Sequence, residues 1–274
     1  KPLRLQYLAV SRSNFTGVSN QGVFSMSNPS TSSITISMAE SQFLQCATAT
    51  SGGVLWISAP NSAVDVVIHN TYFNESQATA NGGSLYVEAL DFTMNLDQVV
   101  HANASAGLGG FLYLKQTEPN ASADMKVKNN THWIGNQANT RGGCIYILSE
   151  SSGGNQTILL ESITVVENTA GSNGGFLSLV SSLSYNLTVQ LTLLRSTFLR
   201  NTASTGGVIY LSGDVSLQMV VDDCQVDGTD GGLFYGLSLQ SANHSISLLN
   251  SRFSENNAEW KGSIVHCMTK EGTQ

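Results

Sequence analysis

The chain has 274 residues, with 12 basic and 19 acidic side chains and a formal net charge of −7. Charged residues make up only 11% of it, against roughly 25% in an average soluble domain, which excludes a coiled coil and charge-driven disorder. A net negative chain without a Lys/Arg cluster lacks the basic footprint that phosphates require, so no nucleic-acid partner is expected. No apolar run approaches the roughly 20 residues of a spanning helix, so no membrane span is expected in this segment.

Taken in chain order, the sequence is a repeat. Gly-Gly followed by an apolar stretch recurs at Gly52-Gly53, Gly82-Gly83, Gly109-Gly110, Gly142-Gly143, Gly174-Gly175, Gly206-Gly207 and Gly231-Gly232. Degenerate copies stand at Gln21-Gly22 and Lys261-Gly262, and the spacing between second glycines runs from 25 to 33 residues. This defines nine units. In each, a first strand follows the glycines, as in Val54-Leu55-Trp56-Ile57. A polar loop and a second, alternating strand come next, such as Leu187, Val189, Leu191 and Leu193. A short third strand carries one bulky residue: Phe15, Phe43, Phe73, Val100, Trp133, Val165, Phe198, Val226 or Phe253. Three residues later stands Asn103, Asn136, Asn168, Asn201 or Asn256, often followed by a small residue such as Ala138, Ala170, Ala203 or Ala258.

Three short strands per unit with no helical period predict an all-β fold, a parallel β-helix of about nine coils. At roughly 4.8 Å per coil the rod would be about 40 Å long. The whole chain, 1–274, reads as one domain. It lacks an initiator Met and a signal peptide, so it is expected to be a piece of a longer repeat protein or a stacking subunit with open coil ends. The Asn column is expected to form an amide ladder, with ordinary turn chemistry as the alternative.

Phe-x-x-Asn (Phe198-Leu199-Arg200-Asn201, Phe253-Ser254-Glu255-Asn256) combined with Gly-Gly-x-Ile (Gly142-Gly143-Cys144-Ile145, Gly206-Gly207-Val208-Ile209) resembles the repeats of chlamydial polymorphic outer membrane proteins. Similar repeats occur in large surface proteins of protists and algae. The resemblance covers nearly the whole chain and implies a right-handed, pectin-lyase-like β-helix and a cell-surface or adhesive role.

Numbered from the second glycine, position +2 is always large and apolar and is expected to face inward with position +4. Position +3 then faces outward and reads Trp56, Tyr86, Tyr113, Tyr146, Ser178, Tyr210 and Tyr235. Position +1 (Val54, Phe111, Phe176, Val208, Leu233) is expected on that same outer face. Such a stripe would exceed what a monomer normally exposes. It would serve self-association, contact with neighbouring surface proteins or sugar stacking, unless it reflects β-propensity alone.

Eight Asn-x-Ser/Thr acceptors occur. Asn14, Asn74, Asn120, Asn129, Asn155, Asn186 and Asn243 are expected to carry N-linked glycans, which places the chain outside the cell or at its surface. Asn120, Asn155, Asn186 and Asn243 fall in the same loop of their units, predicting a glycan stripe. Asn103 is assigned to the ladder and is expected to escape modification. Cys46, Cys144, Cys224 and Cys267 lie on different strands or sides, so free thiols are favoured over disulfides. No Cys-x-x-Cys or Cys/His cluster suggests zinc.

Nucleophile elbows, phosphate loops and dinucleotide fingerprints are missing, and the five histidines stand singly. No catalytic residues and no cofactor are expected. The one acidic cluster, Asp222, Asp223, Asp227 and Asp230, is a weak candidate for Ca²⁺ or for acid/base chemistry. The sequence therefore predicts a non-enzymatic structural or adhesive module, within a surface protein or a filament. The alternative is a polysaccharide lyase or glycoside hydrolase using Asp222–Asp230.

Overall fold

A computed structural model describes residues 7–27, 33–150, 153–181, 187–238, 244–258 and 264–269. It is a parallel β-solenoid of about eight turns. All strand-to-strand ladders among the described residues are parallel, and each strand pairs with its counterpart one coil away. Side one, after the glycines, includes Leu112–Gln116, Ile145–Ser149 and Leu177–Ser181. Side two includes Ser122–Lys128, Asn155–Glu161 and Leu187–Leu194. Side three is a file of nine three-residue strands from Asn14–Thr16 to Arg252–Ser254. In two coils, sides one and two merge into single long strands, Leu55–His69 and Leu85–Asp97.

The expected inner file is present: Leu85 pairs with Leu112, Leu112 with Ile145 and Ile145 with Leu177, all 0–1% exposed. Side two alternates strictly, with Leu187, Val189, Leu191 and Leu193 buried. A coil cannot hide this face alone, so the core is a property of stacking.

Each coil turns at three corners, and the corners are built on residues with positive φ, usually one and in places two, as at Asn129-Asn130 and Gly231-Gly232. The corner between sides two and three uses Glu40, Asn70, Gln98, Asn130, Ser162, Arg195, Asp223 and Asn250. The corner after side three uses Gln45, Glu75, Asn103, Gly135, Glu167, Arg200, Gly228 and Glu255. The third corner is the glycine pair, and its two members are required for different reasons. Gly142 has φ 63°, and a Cβ there would sit 2.2 Å from the Ile145 carbonyl oxygen. At Gly143, a Cβ would lie 2.0 Å from the Gly175 carbonyl oxygen of the next coil. The first glycine serves the turn and the second serves the coil-to-coil approach.

Three expectations are corrected. Position +1 points into the core: Val54, Phe111, Phe176, Val208 and Leu233 are all 0% exposed. The cause is a bulge-like start to side one. The Phe111 and Leu112 amides both donate to the Cys144 carbonyl, at 2.7 and 3.0 Å, so two successive side chains turn inward. The bulky file of side three takes His101, not Val100: His101 pairs with Phe73 and Trp133, while Val100 pairs with Tyr72 on the outer face. Asn103 consequently leaves the ladder. It occupies a left-handed corner with φ 55°, and Ala104 holds the buried position instead.

Candidate functional site

Of the expected amide column, Asn136, Asn168 and Asn201 form a continuous ladder. Asn136, Asn168 and Asn201 are each 0% exposed. Asn136 Nδ2 donates to Asn168 Oδ1 at 2.8 Å, and Asn168 Nδ2 to Asn201 Oδ1 at 3.0 Å. The same oxygens accept the Asn136 and Asn168 backbone N–H groups, each at 3.0 Å. Thr229 interrupts the file, and Asn256 resumes it by accepting the Thr229 amide at 3.1 Å. In a low-dielectric interior such a satisfied network fixes the register of one coil on the next.

A second ladder escaped the sequence reading. At the corner between sides two and three, Ser41 Oγ accepts the Ser13 amide at 3.2 Å and donates to the Ala39 carbonyl at 2.7 Å. Thr131 and Ser196 accept the Val99 and Ile163 amides, and Ser251 accepts the Cys224 amide. The signal was a hydroxyl two residues before Phe15, Phe43, Phe73, Trp133, Phe198 and Phe253, whereas Val99, Ile163 and Cys224 precede His101, Val165 and Val226. In a chain so rich in Ser and Thr it looked like loop composition.

The outer aromatic file exists, with a geometry that changes its meaning. Trp56, Tyr86, Tyr113 and Tyr146 stack ring on ring, with centroids 6.1, 5.2 and 5.4 Å apart. Tyr210 and Tyr235 continue it at 5.6 Å, and His266 lies 4.9 Å beyond. Ser178, fully buried and without a hydrogen-bond partner, fills the position between the two runs. Tyr113, Tyr146 and Tyr210 are only 4–7% exposed. Ring faces within each run are taken up by neighbouring rings, so the expected exposed stripe is corrected to a file presenting edges. A sugar platform needs a free face, which this stacking removes. Burial pushes the Tyr113 hydroxyl well above the usual phenol range; Tyr86 and Tyr146 move the same way, Tyr146 despite its hydrogen bond from Arg141.

The acidic residues do not converge. Asp222 ends a side-two strand and accepts Asn250 Nδ2 at 2.9 Å. Asp223 turns the next corner, and Asp227 accepts the Ser254 hydroxyl at 3.0 Å on side three. Asp230 bridges Thr202 and Asn257 near the glycine corner. Closeness in sequence became dispersal around the perimeter, because one coil carries its residues round three sides. Among the described residues no three His, Cys, Asp or Glu come together to hold a metal ion. The four cysteines are free, with Cys46, Cys144 and Cys224 buried and their thiols held protonated by burial.

One arrangement does have the outline of catalytic machinery. His101 Nδ1 is 2.8 Å from Asn136 Oδ1, and its Nε2 is 2.7 Å from Ser84 Oγ. Asn136 Oδ1 also accepts the Ala104 amide, so it is an acceptor and the imidazole proton sits on Nδ1. Nε2 then accepts from the Ser84 hydroxyl, the relation of an activated serine. All three side chains are 0% exposed, so no substrate reaches Ser84 Oγ. Burial lowers the His101 pKa to about 3, and the ring is neutral. The triad is a packed interior network.

The acceptor asparagines lie on the outside. Asn14, Asn120, Asn129 and Asn155 are exposed and Asn74 is half-buried; Asn186 and Asn243 lie outside the described residues. In neighbouring coils, Asn120 sits in the loop before side two and Asn155 is the first residue of the side-two strand; Asn129 lies at the corner after side two, and Asn14 and Asn74 lie on side three. The two described members of the expected stripe therefore share an edge, while the others face elsewhere.

No family model, no curated protein and no solved structure matches this chain. The class is set by the fold, a parallel β-helix.

Proposed function

We propose that the chain is a non-enzymatic, extracellular β-helix module, N-glycosylated, which acts as a stiff structural or adhesive element of a surface protein or filament. One observation carries this reading. Each acceptor asparagine among the described residues has an exposed or half-exposed side chain. The buried ladder asparagines stand in Asn136-Gln137-Ala138, Asn168-Thr169-Ala170 and Asn201-Thr202-Ala203, none of which can be modified. A chain rich in Asn, Ser and Thr has thus kept the acceptor triplet off its interior. The carbohydrate-active alternative needs two carboxylates facing one bond, and the spread of Asp222, Asp223, Asp227 and Asp230 favours the structural reading. Side three, where Ile134 is 36% exposed beside half-buried Val166 and Leu199, offers apolar surface for a partner.

The test is secretion from a eukaryotic host. The purified chain is expected to lose mass on glycosidase treatment, to appear as a rod by electron microscopy, and to leave acidic and neutral polysaccharides intact. An unchanged mass, or depolymerisation that disappears in Asp223→Ala, would overturn the proposal.

A further inference from the structure

We propose that Asn103 is itself a glycan acceptor, and that its neighbour Asn74 is left bare on chains where Asn103 is modified. The inference rests on the secreted reading above. Asn103 belongs to an Asn-Ala-Ser triplet, Asn103-Ala104-Ser105. Its side chain is exposed at a left-handed corner, φ 55°, while the next residue, Ala104, turns into the core. The glycan on Nδ2 would leave the rod at a vertex, where flanking strands diverge from it.

Asn74 is placed differently. It lies within a side-three strand, half-buried, paired on one side with Leu44 and on the other with Ala102. The hydroxyl of its own triplet, Ser76, is fully buried. The two amides touch: Asn103 Nδ2 donates to Asn74 Oδ1 at 3.1 Å. Modification joins Nδ2 to C1 of an N-acetylhexosamine supplied on a lipid-linked diphosphate. The C1–O bond breaks with its electron pair going to the diphosphate, and Nδ2 gives up one of its two protons. One N–H remains on Asn103, enough to keep the bond to Asn74 while the sugar points outward. Two saccharides on adjacent coils, about 5 Å apart in the stacking direction, would compete for the same space.

The secreted full-length chain is deglycosylated enzymatically in ¹⁸O water, and mass spectrometry reads each former acceptor as labelled Asp. Asn103 is expected to be occupied on most chains, with peptides spanning both sites showing at most one label. Ser105→Ala, which leaves the Asn103 amide in place, is expected to abolish that label and raise occupancy at Asn74 at least twofold. An unlabelled Asn103 beside labelled Asn14, Asn129 or Asn155 overturns the proposal alone. Both labels on one peptide overturn the exclusion. No label at any site overturns the secreted reading as well, and those three reporters keep the two failures distinct.

Discussion

The inner aromatic file and the outer one, broken at Ser178, lie along the same rod and pack by different rules. Outside, successive rings of one column stack nearly parallel, with interplanar angles of 4–22° from Trp56 to Tyr146. Inside, Phe15, Phe43 and Phe73 stack in this manner, and then the pattern changes. From His101 onward the rings tilt at 40–60°, alternating between side three and position +1: His101, Phe111, Trp133, Phe176, Phe198. The two inner positions of one coil share a fixed volume. Trp133 is followed by small Cys144, Phe73 by Ser84, and small Val165 by large Phe176. An outer file needs only a neighbour above and below, whereas an inner file must also fill the layer, so its composition is constrained coil by coil.

Loss of an inner ring should be the most damaging change. Phe198→Ala leaves a void that its layer, closed by Val208, cannot collapse into, and should cost roughly 3–5 kcal/mol in urea unfolding. A loss under 1 kcal/mol would show that the inner file is not tightly packed.

Acid comes next. His101 is neutral in the fold with a pKa near 3, against 6.5 when exposed. Below pH 6.5 the unfolded chain takes up the proton that the folded chain refuses, so stability is full above that pH and falls progressively toward pH 3. Between pH 7 and pH 4.5 this group should account for about 2–3 kcal/mol. Chemical denaturation of His101→Phe, which restores the side-three consensus, should lack that share of the acid sensitivity. Parallel pH curves for the two proteins would refute the assignment.

The outer file should give the smallest effect. A double-mutant cycle on Tyr113→Ser and Tyr146→Ser is expected to show a coupling of about 0.5–1.5 kcal/mol for one stacked pair, with no change in particle mass by scattering. Dissociation of an assembly on substitution would restore the file as an intermolecular surface.

Much of this architecture was legible in the residues. Gly-Gly recurrence gave the coil, the alternation of Leu187 to Leu193 gave side two, and Phe198-x-x-Asn201 gave the amide ladder. Where the reading slipped, it slipped by one residue. Val100 looked like the bulky inner residue because it is apolar, whereas its neighbour His101 is buried through two hydrogen bonds that no hydropathy pattern reveals. That shift carried Asn103 into the wrong column. Position +1 was misplaced because strict alternation was extended through a bulge, although the pairing of Trp133 with Cys144 and Val165 with Phe176 was present as a volume signal. The acidic residues misled for a geometric reason: nine residues, Asp222 to Asp230, pass around two corners.

The backbone hydrogen bonds join each coil to the next, so they point along the rod. A pull on its two ends would load the coils in series, and within each coil the bonds would share the force. The molecule should therefore yield one circuit at a time instead of shearing as a block. Each released circuit of about 30 residues would pay out roughly 100 Å of chain, so the rod would lengthen in steps under load.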